Sequence, residues 1–207
     1  MSPEAETVTS AQEPFLVPPE LVHLSIPLKT FQEQHPDIQG LVIGALVYCG
    51  DRLLLLQRSA SDSYPNRWEV PGGSCDLEDE TVLHAVAREL FEETGLRATR
   101  IVRQVGDGVS FQTGRPSSVK NWLKLSFEVE VASGDLNGQA DAEGKFSNQA
   151  YQGFPVKLDP AEHQRFIWVK EEELRQKSAS GLPLSFISVD QVSLMLVALG
   201  ARNGYDL

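Results

Sequence analysis

The sequence predicts an α/β fold, and three observations indicate it. An apolar, β-branched run at Gln39–Cys49 is followed by the turn Gly50-Asp51 and a second apolar run at Arg52–Gln57, as in a β-hairpin. A glycine turn and an amphipathic helical segment come next. A second helix with an apolar face, Val189–Leu199, follows the capping residue Ser188 near the end of the chain. Strands and helices thus occur together in 207 residues, a length suited to one domain.

The N-terminal part of the chain carries three predictions. Residues 1–20 are rich in Glu, Pro, Ser and Thr, which predicts a disordered arm. Leu21–Ile26 is predicted as a short strand, and Pro27–Gln34 as one or two helical turns. A single domain is then expected over residues 21–207.

The helix after the turn Pro71-Gly72-Gly73 has the clearest pattern. Asp79 or Thr81 can cap its start, and Gly95 is placed for a left-handed C-cap. On a helical wheel the apolar stripe covers roughly 100°, and Glu93 falls about 20° inside its edge. The stripe consists of Val82, Leu83, Val86 and Leu90.

Three glutamates on this helix indicate a cation site. Glu89, Glu92 and Glu93 are three and four residues apart, so their side chains share a face. A charge at the buried edge costs free energy unless it is paired, and neighbouring carboxylates raise one another's pKa. A divalent cation removes both penalties, and oxygen ligands suit Mg²⁺ or Mn²⁺. A solvated acidic face, the alternative, fits this geometry less well.

The second half of the chain adds strands around a polar segment. Thr99–Val105 and Asn121–Val131 alternate apolar and polar residues, as strands with one buried face do. Residues 133–152 are polar and rich in Gly, which predicts an insertion loop. Arg165–Val169 is predicted as a strand and Lys170–Gln176 as a short helix.

Composition limits the partners. The net charge of −11 argues against a nucleic acid polymer or an anionic membrane as partner, because both need clustered positive charge. No apolar run reaches the length of a membrane span, and no signal peptide is visible, so a cytoplasmic location is expected. Two cysteines, Cys49 and Cys75, do not make a disulfide scaffold.

The segment from Glu80 to Leu96 resembles the Nudix box, in which a Gly, a spacer, a Glu and seven residues precede Arg-Glu-apolar-any-Glu-Glu-any-Gly-apolar. The run RELFEETGL from Arg88 onward fills every specified position. Five residues usually separate the Gly from the first Glu, whereas six separate Gly73 from Glu80. Over roughly residues 39–199 the element order is similar to the Nudix-type α/β/α sandwich with a mixed sheet.

The resemblance implies roles for the residues of the box. Glu92 and Glu93 would be metal ligands, and Glu89 a further ligand or the base that activates water. Arg88 would orient the glutamates. The cofactor would be Mg²⁺ or Mn²⁺.

Positions around the box receive weaker roles from the resemblance. The carbonyl of Gly72 or Gly73 would complete the metal shell, and Glu80 would be an outer ligand. Glu162 lies where the family often supplies another metal-binding or basic carboxylate, and a surface acid is an equal alternative. For His163 a surface or loop position is favoured over a catalytic role.

Three residues are candidates for binding substrate. Arg58 could face a diphosphate, because a guanidinium suits that group, or could be a surface arginine. Trp68 could stack on a base, although core packing is favoured. Lys124 alternates with apolar neighbours and could face the cleft.

The sequence thus predicts a Nudix hydrolase, metal-dependent and cleaving a phosphoanhydride bond in a nucleoside diphosphate linked to another moiety. Its partner would be that small nucleotide, and a homodimer is left open because many relatives dimerise. Two alternatives are a Nudix-fold protein that binds a nucleotide or partner without turnover, and a structural protein whose acidic helix is incidental.

Overall fold

A computed structural model describes residues 15–132 and 155–202 of the chain. The predicted insertion loop at about 133–152 and the first part of the predicted arm, residues 1–14, lie outside the described residues. The described elements are, in chain order, a 3₁₀ helix (Pro19–Leu24), α1 (Leu28–Gln34), β1 (Gly40–Cys49), β2 (Arg52–Arg58), β3 (Trp68–Glu69), α2 (Val82–Thr94), β4 (Ala98–Gln104), β5 (Val109–Arg115), β6 (Ser118–Val131), β7 (His163–Val169), α3 (Glu171–Gln176), β8 (Ser178–Ala179), β9 (Leu182–Pro183) and α4 (Val189–Arg202).

A mixed sheet of seven strands forms the centre of the molecule. Its main order is β3-β2-β1-β6-β4, with β5 paired to β6 and β7 paired to β2. β1 and β6 are parallel from Gly40 to Val47, and the other pairs are antiparallel. β1 and β2 pair only beside their turn, at Tyr48 and Cys49. The rest of that edge of β1 is therefore available to another segment.

The loop after β3 takes this free edge of β1. The N–H groups of Ala45 and Ile43 donate to the carbonyls of Pro71 (2.8 Å) and Gly73 (2.9 Å). Gly72 has a φ of +148°, and a Cβ there would lie 2.2 Å from the carbonyl oxygen of Ile43. Only glycine fits so close to the strand, because any side chain would collide with its backbone.

Both faces of the sheet are covered, which confirms the predicted α/β/α sandwich. Because β1 is buried on both sides, it is apolar throughout rather than alternating. One core layer packs α2 on the sheet, with Leu41, Ile43, Leu54, Leu56, Val86, Leu90 and Phe127 among its members. The other packs α3 and α4 on the opposite face, with Leu46, Leu53, Leu55, Trp68, Val169, Leu174, Met195 and Leu199.

α2 begins and ends as the sequence predicts. Thr81 caps its start by accepting a hydrogen bond from the N–H of His84 (3.2 Å), and Gly95 ends it with a φ of 69°. The predicted apolar stripe is fully buried, and Glu93 at its edge is only 4% exposed. Within the described ranges, no helix is both long enough and apolar enough to cross a bilayer.

The N-terminal segment differs from its prediction. The predicted strand at Leu21–Ile26 is instead largely a 3₁₀ helix, in which Leu21 and Leu24 are three residues apart and both buried. Residues 15–20 were expected in the disordered arm. In the structure Phe15 is buried in the core and Leu16 bridges to Arg100 of β4, so the packed chain begins before residue 20.

Candidate functional site

Glu93 is the buried centre of an acidic cluster. One of its carboxylate oxygens, Oε2, accepts a hydrogen bond from the N–H of Gly72 at 2.7 Å. The other, Oε1, lies 3.8 Å from Nδ1 of His163. Burial raises the pKa of Glu93 to about 9 despite the bond from Gly72. Three nearby carboxylates raise it further: Glu69, Glu89 and Glu162.

The turn before β7 brings two more groups to Glu93. Carboxylate oxygens of Glu93 and Glu162 and a ring nitrogen of His163 all lie within 4.8 Å of one another. The carbonyl of Glu162 accepts a hydrogen bond from the N–H of Ser59 (2.8 Å), which fixes the turn. The surface position favoured for His163 is wrong, since its side chain is 2% exposed where β7 starts opposite Arg58.

Gly73 makes room for the second inner carboxylate. A Cβ on Gly73 would lie 2.6 Å from Oε2 of Glu89, so the glycine lets this carboxylate lie against the loop. The pKa of Glu89 is raised by burial first, against the effect of Arg88. Glu92 is 56% exposed and lies on the outer side of the group. The Gly73 carbonyl, predicted as a metal ligand, already accepts the bond from Ile43 on one lone pair.

Arg88 holds the helix, the loop and the carboxylates in one network. Its Nη1 donates to Glu89 (2.8 Å) and Glu92 (3.0 Å), as the predicted orienting role requires. Nε and Nη2 donate to both oxygens of Asp79, at 2.7 and 2.9 Å, and Nη2 also donates to the carbonyl of Ser74. The bonds to Asp79 contribute most to an Arg88 pKa above its ordinary value.

Asp79 was not among the predicted site residues. It is buried, and although burial acts to raise its pKa, bonds from Arg88 and the N–H of Asp76 lower it below the usual value. Glu80 is 73% exposed and lies 3.6 Å from Nε2 of His84, without an ion pair to Arg88. Five residues separate Gly73 from Asp79, the usual spacing of the box, so this count could have identified Asp79.

Glu69 is a second residue that the sequence interpretation missed. It is 3% exposed, forms an ion pair with Arg58, and lies 3.7 Å from Nε2 of His163. Burial acts to raise its pKa, but His163, Lys124 and Arg58 together lower it. Alternation along β3 could have indicated this residue. Successive side chains of a strand point to opposite faces, so a core position for Trp68 places Glu69 on the other face of the sheet.

A cavity of about 530 Å³ opens beside the acidic cluster. Two of the three predicted substrate residues, Arg58 and Lys124, line it. Arg58 is paired with Glu69 and Asp62. Trp68 is 2% exposed, packs in the core and is not part of the cavity wall, which supports the core interpretation for that residue.

The cavity lining also includes Gln191 and two exposed aromatic rings. Both polar side-chain atoms of Gln191 are buried and have no hydrogen-bond partner among the described residues. Its backbone N–H donates to Oγ of the predicted cap Ser188 at 3.2 Å. Phe111 and Tyr64 also line the cavity and are 38% and 53% exposed. The two exposed rings therefore offer flat apolar surface to a ring of a bound ligand.

The fold and site together define a Nudix-type protein, because an α/β/α sandwich carries an arginine-anchored acidic helix beside a glycine loop. Residues 39–186 match the NUDIX domain family. This match covers well over half of the chain, and the chain belongs to the Nudix hydrolase family.

Individual relatives are similar over parts of the chain. An RNA pyrophosphohydrolase of Bartonella tribocorum is 31% identical over 93 residues, which are 45% of this chain and 44% of the relative. The match thus spans less than half the length of that relative. A CTP pyrophosphohydrolase of Escherichia coli K12 is 28% identical over 135 residues, 65% of this chain and 78% of the relative.

Solved structures agree with the fold. A MutT NUDIX hydrolase from Burkholderia pseudomallei superposes with a TM-score of 0.52 at 19% identity, covering 76% of this chain and 97% of the other. A MutT protein from Methanosarcina mazei Go1 gives 0.51 at 22% identity, with coverage of 81% and 96%. At these identities the likeness shows the fold alone.

Proposed function

We propose that this protein is a metal-dependent hydrolase that cleaves a phosphoanhydride bond in a nucleoside diphosphate linked to another moiety. The observation that carries the proposal is the buried carboxylate of Glu93, which lies near Glu89 and Glu162 and accepts a hydrogen bond from Gly72 of the cavity lining. Carboxylates packed in this way repel one another, and a divalent cation relieves the repulsion.

The donor set fits Mg²⁺ or Mn²⁺. Glu93 and Glu162 offer carboxylate oxygens close to each other, Glu89 lies near both, and Glu92 is on the exposed side. Gly73 leaves room for the Glu89 carboxylate to lie against the loop, because it has no side chain. We expect such a close approach of loop and carboxylate at a metal site. When bound, the ion would neutralise the diphosphate oxygens and lower the pKa of a bound water.

The residues of the chain divide the remaining tasks. Glu162 is exposed and Glu89 is half-buried, so either carboxylate can reach a water and accept its proton. Arg88 keeps Glu89 and Glu92 in place through its bonds to both. Lys124 lines the cavity and would bring positive charge to a diphosphate bound there.

The nucleoside would stack on aromatic rings of the cavity. Phe111 and Tyr64 both line it and expose part of their side chains. A base offers a matching flat face. These rings therefore support a nucleoside as one half of the substrate.

A triphosphate at the 5′ end of RNA is the second candidate substrate, because several relatives are named RNA pyrophosphohydrolase. The net charge of −11 disfavours it, since binding along an RNA chain relies on Lys and Arg contacts to phosphates. A small nucleotide therefore stays the first candidate.

The test is product release from a substrate panel with Mg²⁺, with Mn²⁺ and with EDTA. The panel contains nucleoside diphosphate sugars, ADP-ribose, nucleoside triphosphates and a 5′-triphosphorylated RNA oligonucleotide. Metal-dependent release of phosphate, pyrophosphate or a nucleoside monophosphate is expected, and E93Q should reduce it by orders of magnitude. Full activity of E93Q would contradict the assigned site. Metal binding without any turnover would favour a Nudix-fold binding protein.

A further inference from the structure

We propose that His163 supplies a nitrogen ligand to the metal held by Glu93 and Glu162, so that the site binds Mn²⁺ and other imidazole-preferring ions in preference to Mg²⁺. This inference rests on the metal site of the proposed function. The glutamates of the box supply only oxygen, and the imidazole would change the kind of ion that the site selects.

The first support is that His163 is buried without a hydrogen bond. Its side chain is 2% exposed, and neither ring nitrogen has a hydrogen-bond partner within residues 15–132 and 155–202. Carboxylate oxygens of Glu69 and Glu93 lie 3.7 and 3.8 Å away, beyond hydrogen-bonding distance. Buried polar atoms are nearly always paired, so the ring nitrogens of His163 are available to a ligand.

The second support is the position of Nδ1 relative to the carboxylates. Oε2 of Glu93 is occupied by the N–H of Gly72, which leaves Oε1 facing Nδ1 at 3.8 Å. Two ligand atoms on one ion are each about 2.1 Å from it and can be at most about 4.2 Å apart. The 3.8 Å between Nδ1 and Oε1 is within this limit, so the two atoms are close enough to share an ion. Glu162 is exposed, and one of its carboxylate oxygens lies within 4.8 Å of a ligand atom of Glu93 and of a ring nitrogen of His163.

The third support is the carboxylate behind the ring. Nε2 of His163 faces Glu69, and Glu69 is held in turn by Arg58. Histidines that bind metals typically direct their other nitrogen at a carboxylate, which fixes the tautomer and the ring orientation. With the proton on Nε2, the lone pair of Nδ1 points toward Glu93. Arg58, Glu69 and His163 stand in that order, with 3.7 Å between Nε2 and the Glu69 carboxylate.

The experiment uses the full-length protein loaded with Mn²⁺. Electron spin echo modulation detects a ¹⁴N nucleus directly bound to Mn²⁺, and we expect imidazole modulation in the wild type. H163Q should lose this modulation and bind Mn²⁺ about 10- to 100-fold more weakly by calorimetry, while its Mg²⁺ affinity changes less. H35Q is the matched control, because His35 is exposed and distant in sequence from the box and from β7. It should match the wild type in both measurements.

The wild-type spectrum decides the proposal even if H163Q fails to fold. One outcome is that the wild type binds Mn²⁺ without ¹⁴N modulation and that E93Q abolishes this binding. It would overturn the role of His163 and leave the carboxylate site intact. Equal affinities of the wild type for Mn²⁺ and Mg²⁺ would also count against it. No binding of either ion would instead refute the metal site of the proposed function, so the two failures are distinguishable.

Discussion

Arg88 is the residue on which the arrangement of the acidic helix depends. Its guanidinium binds Asp79 with two hydrogen bonds and uses its remaining nitrogen for Glu89 and Glu92. Bidentate pairs of this kind fix orientation as well as distance. Because Asp79 precedes the helix cap, the pair ties the loop to the helix and sets the direction in which the glutamates point.

Replacing Asp79 should therefore harm the protein more than replacing Glu80. D79N leaves Arg88 without its paired carboxylate, and we expect a loss of about 1–3 kcal/mol in unfolding free energy, with a fall in kcat/KM as Glu89 loses its alignment. E80Q changes an exposed side chain and should stay within about 0.5 kcal/mol and near wild-type activity. Urea unfolding and steady-state rates measure both. Equal losses in the two variants would mean that Glu80 shares the task.

Glu93 should make the metal-free protein less stable as the pH rises. Burial raises the folded-state pKa from 4.5 to about 9, so the folded protein keeps a proton that the unfolded chain releases. The stability linked to that proton is fully present below pH 4.5 and is lost as the pH rises toward 9. The slope for one such proton is about 1.4 kcal/mol per pH unit.

E93Q should remove this slope, because glutamine does not titrate. Urea unfolding in EDTA at pH 5.5, 7 and 8.5 compares the two proteins. We expect the stability of the wild type to fall relative to E93Q across this range. Parallel curves would show that Glu93 titrates near its ordinary pKa in the folded state.

At the scale of elements, the loop at residues 71–75 depends on an incomplete hairpin. β1 and β2 pair only at the turn, so the edge of β1 beyond it has unused donors and acceptors. The loop satisfies them at Ile43 and Ala45. Unpaired backbone groups are costly when buried, so this pairing fixes the loop rigidly beside α2.

Two glycine variants distinguish an effect on stability from an effect on the activity of the site. G73A places a methyl group against the end of the Glu89 side chain, which can move, so stability should change by less than about 1 kcal/mol while activity falls by at least about 100-fold. G50A meets no atom within 4 Å but holds alanine at a φ of +60°, so it should lose about 1 kcal/mol and keep its activity. Thermal melts and rates measure both. The reverse pattern would contradict the role assigned to Gly73.

Elements with a strong period were predictable, and weakly patterned ones were not. α2 has a cap, an apolar stripe and a glycine stop, and the structure confirms all three. The sequence did not predict β5. Ser110 to Arg115 are all exposed, so neither face of this strand requires apolar residues and its sequence shows no alternation. Pairing with the first half of β6 makes it a strand. Such pairing is a tertiary effect that no local pattern carries.

Within the site too, positions set by local geometry were predictable and contacts between distant strands were not. Glu93 was placed at the buried edge of the helix because helical geometry is local, and the structure bears this out. The contact between Glu69 and His163 joins residues 94 positions apart across two strands that both pair with β2. Their proximity follows from strand order, which the sequence did not specify.

At the scale of the whole molecule, the cavity is less acidic than the rest of the protein. The chain carries −11 in total, whereas the cavity lining includes Arg58 and Lys124 as well as Glu69 and Asp190. Because Arg58 is paired with Glu69 and Asp62, Lys124 is the lining cation that a short anion would meet. A long polyanion would also experience the negative remainder of the surface, which repels it. We therefore expect the net charge to favour short substrates.

This argument predicts how an RNA substrate would behave. If the protein accepts 5′-triphosphorylated RNA, kcat/KM should not increase from a dinucleotide to a 20-nucleotide chain, and it should depend weakly on salt. Contacts to Z phosphates of a single strand would instead give a slope of log affinity against log salt of about −0.7Z. Initial rates on the two lengths between 50 and 300 mM KCl measure both quantities. A steep negative slope, together with higher kcat/KM on the longer RNA, would show that the protein binds the RNA chain and overturn the preference for small nucleotides.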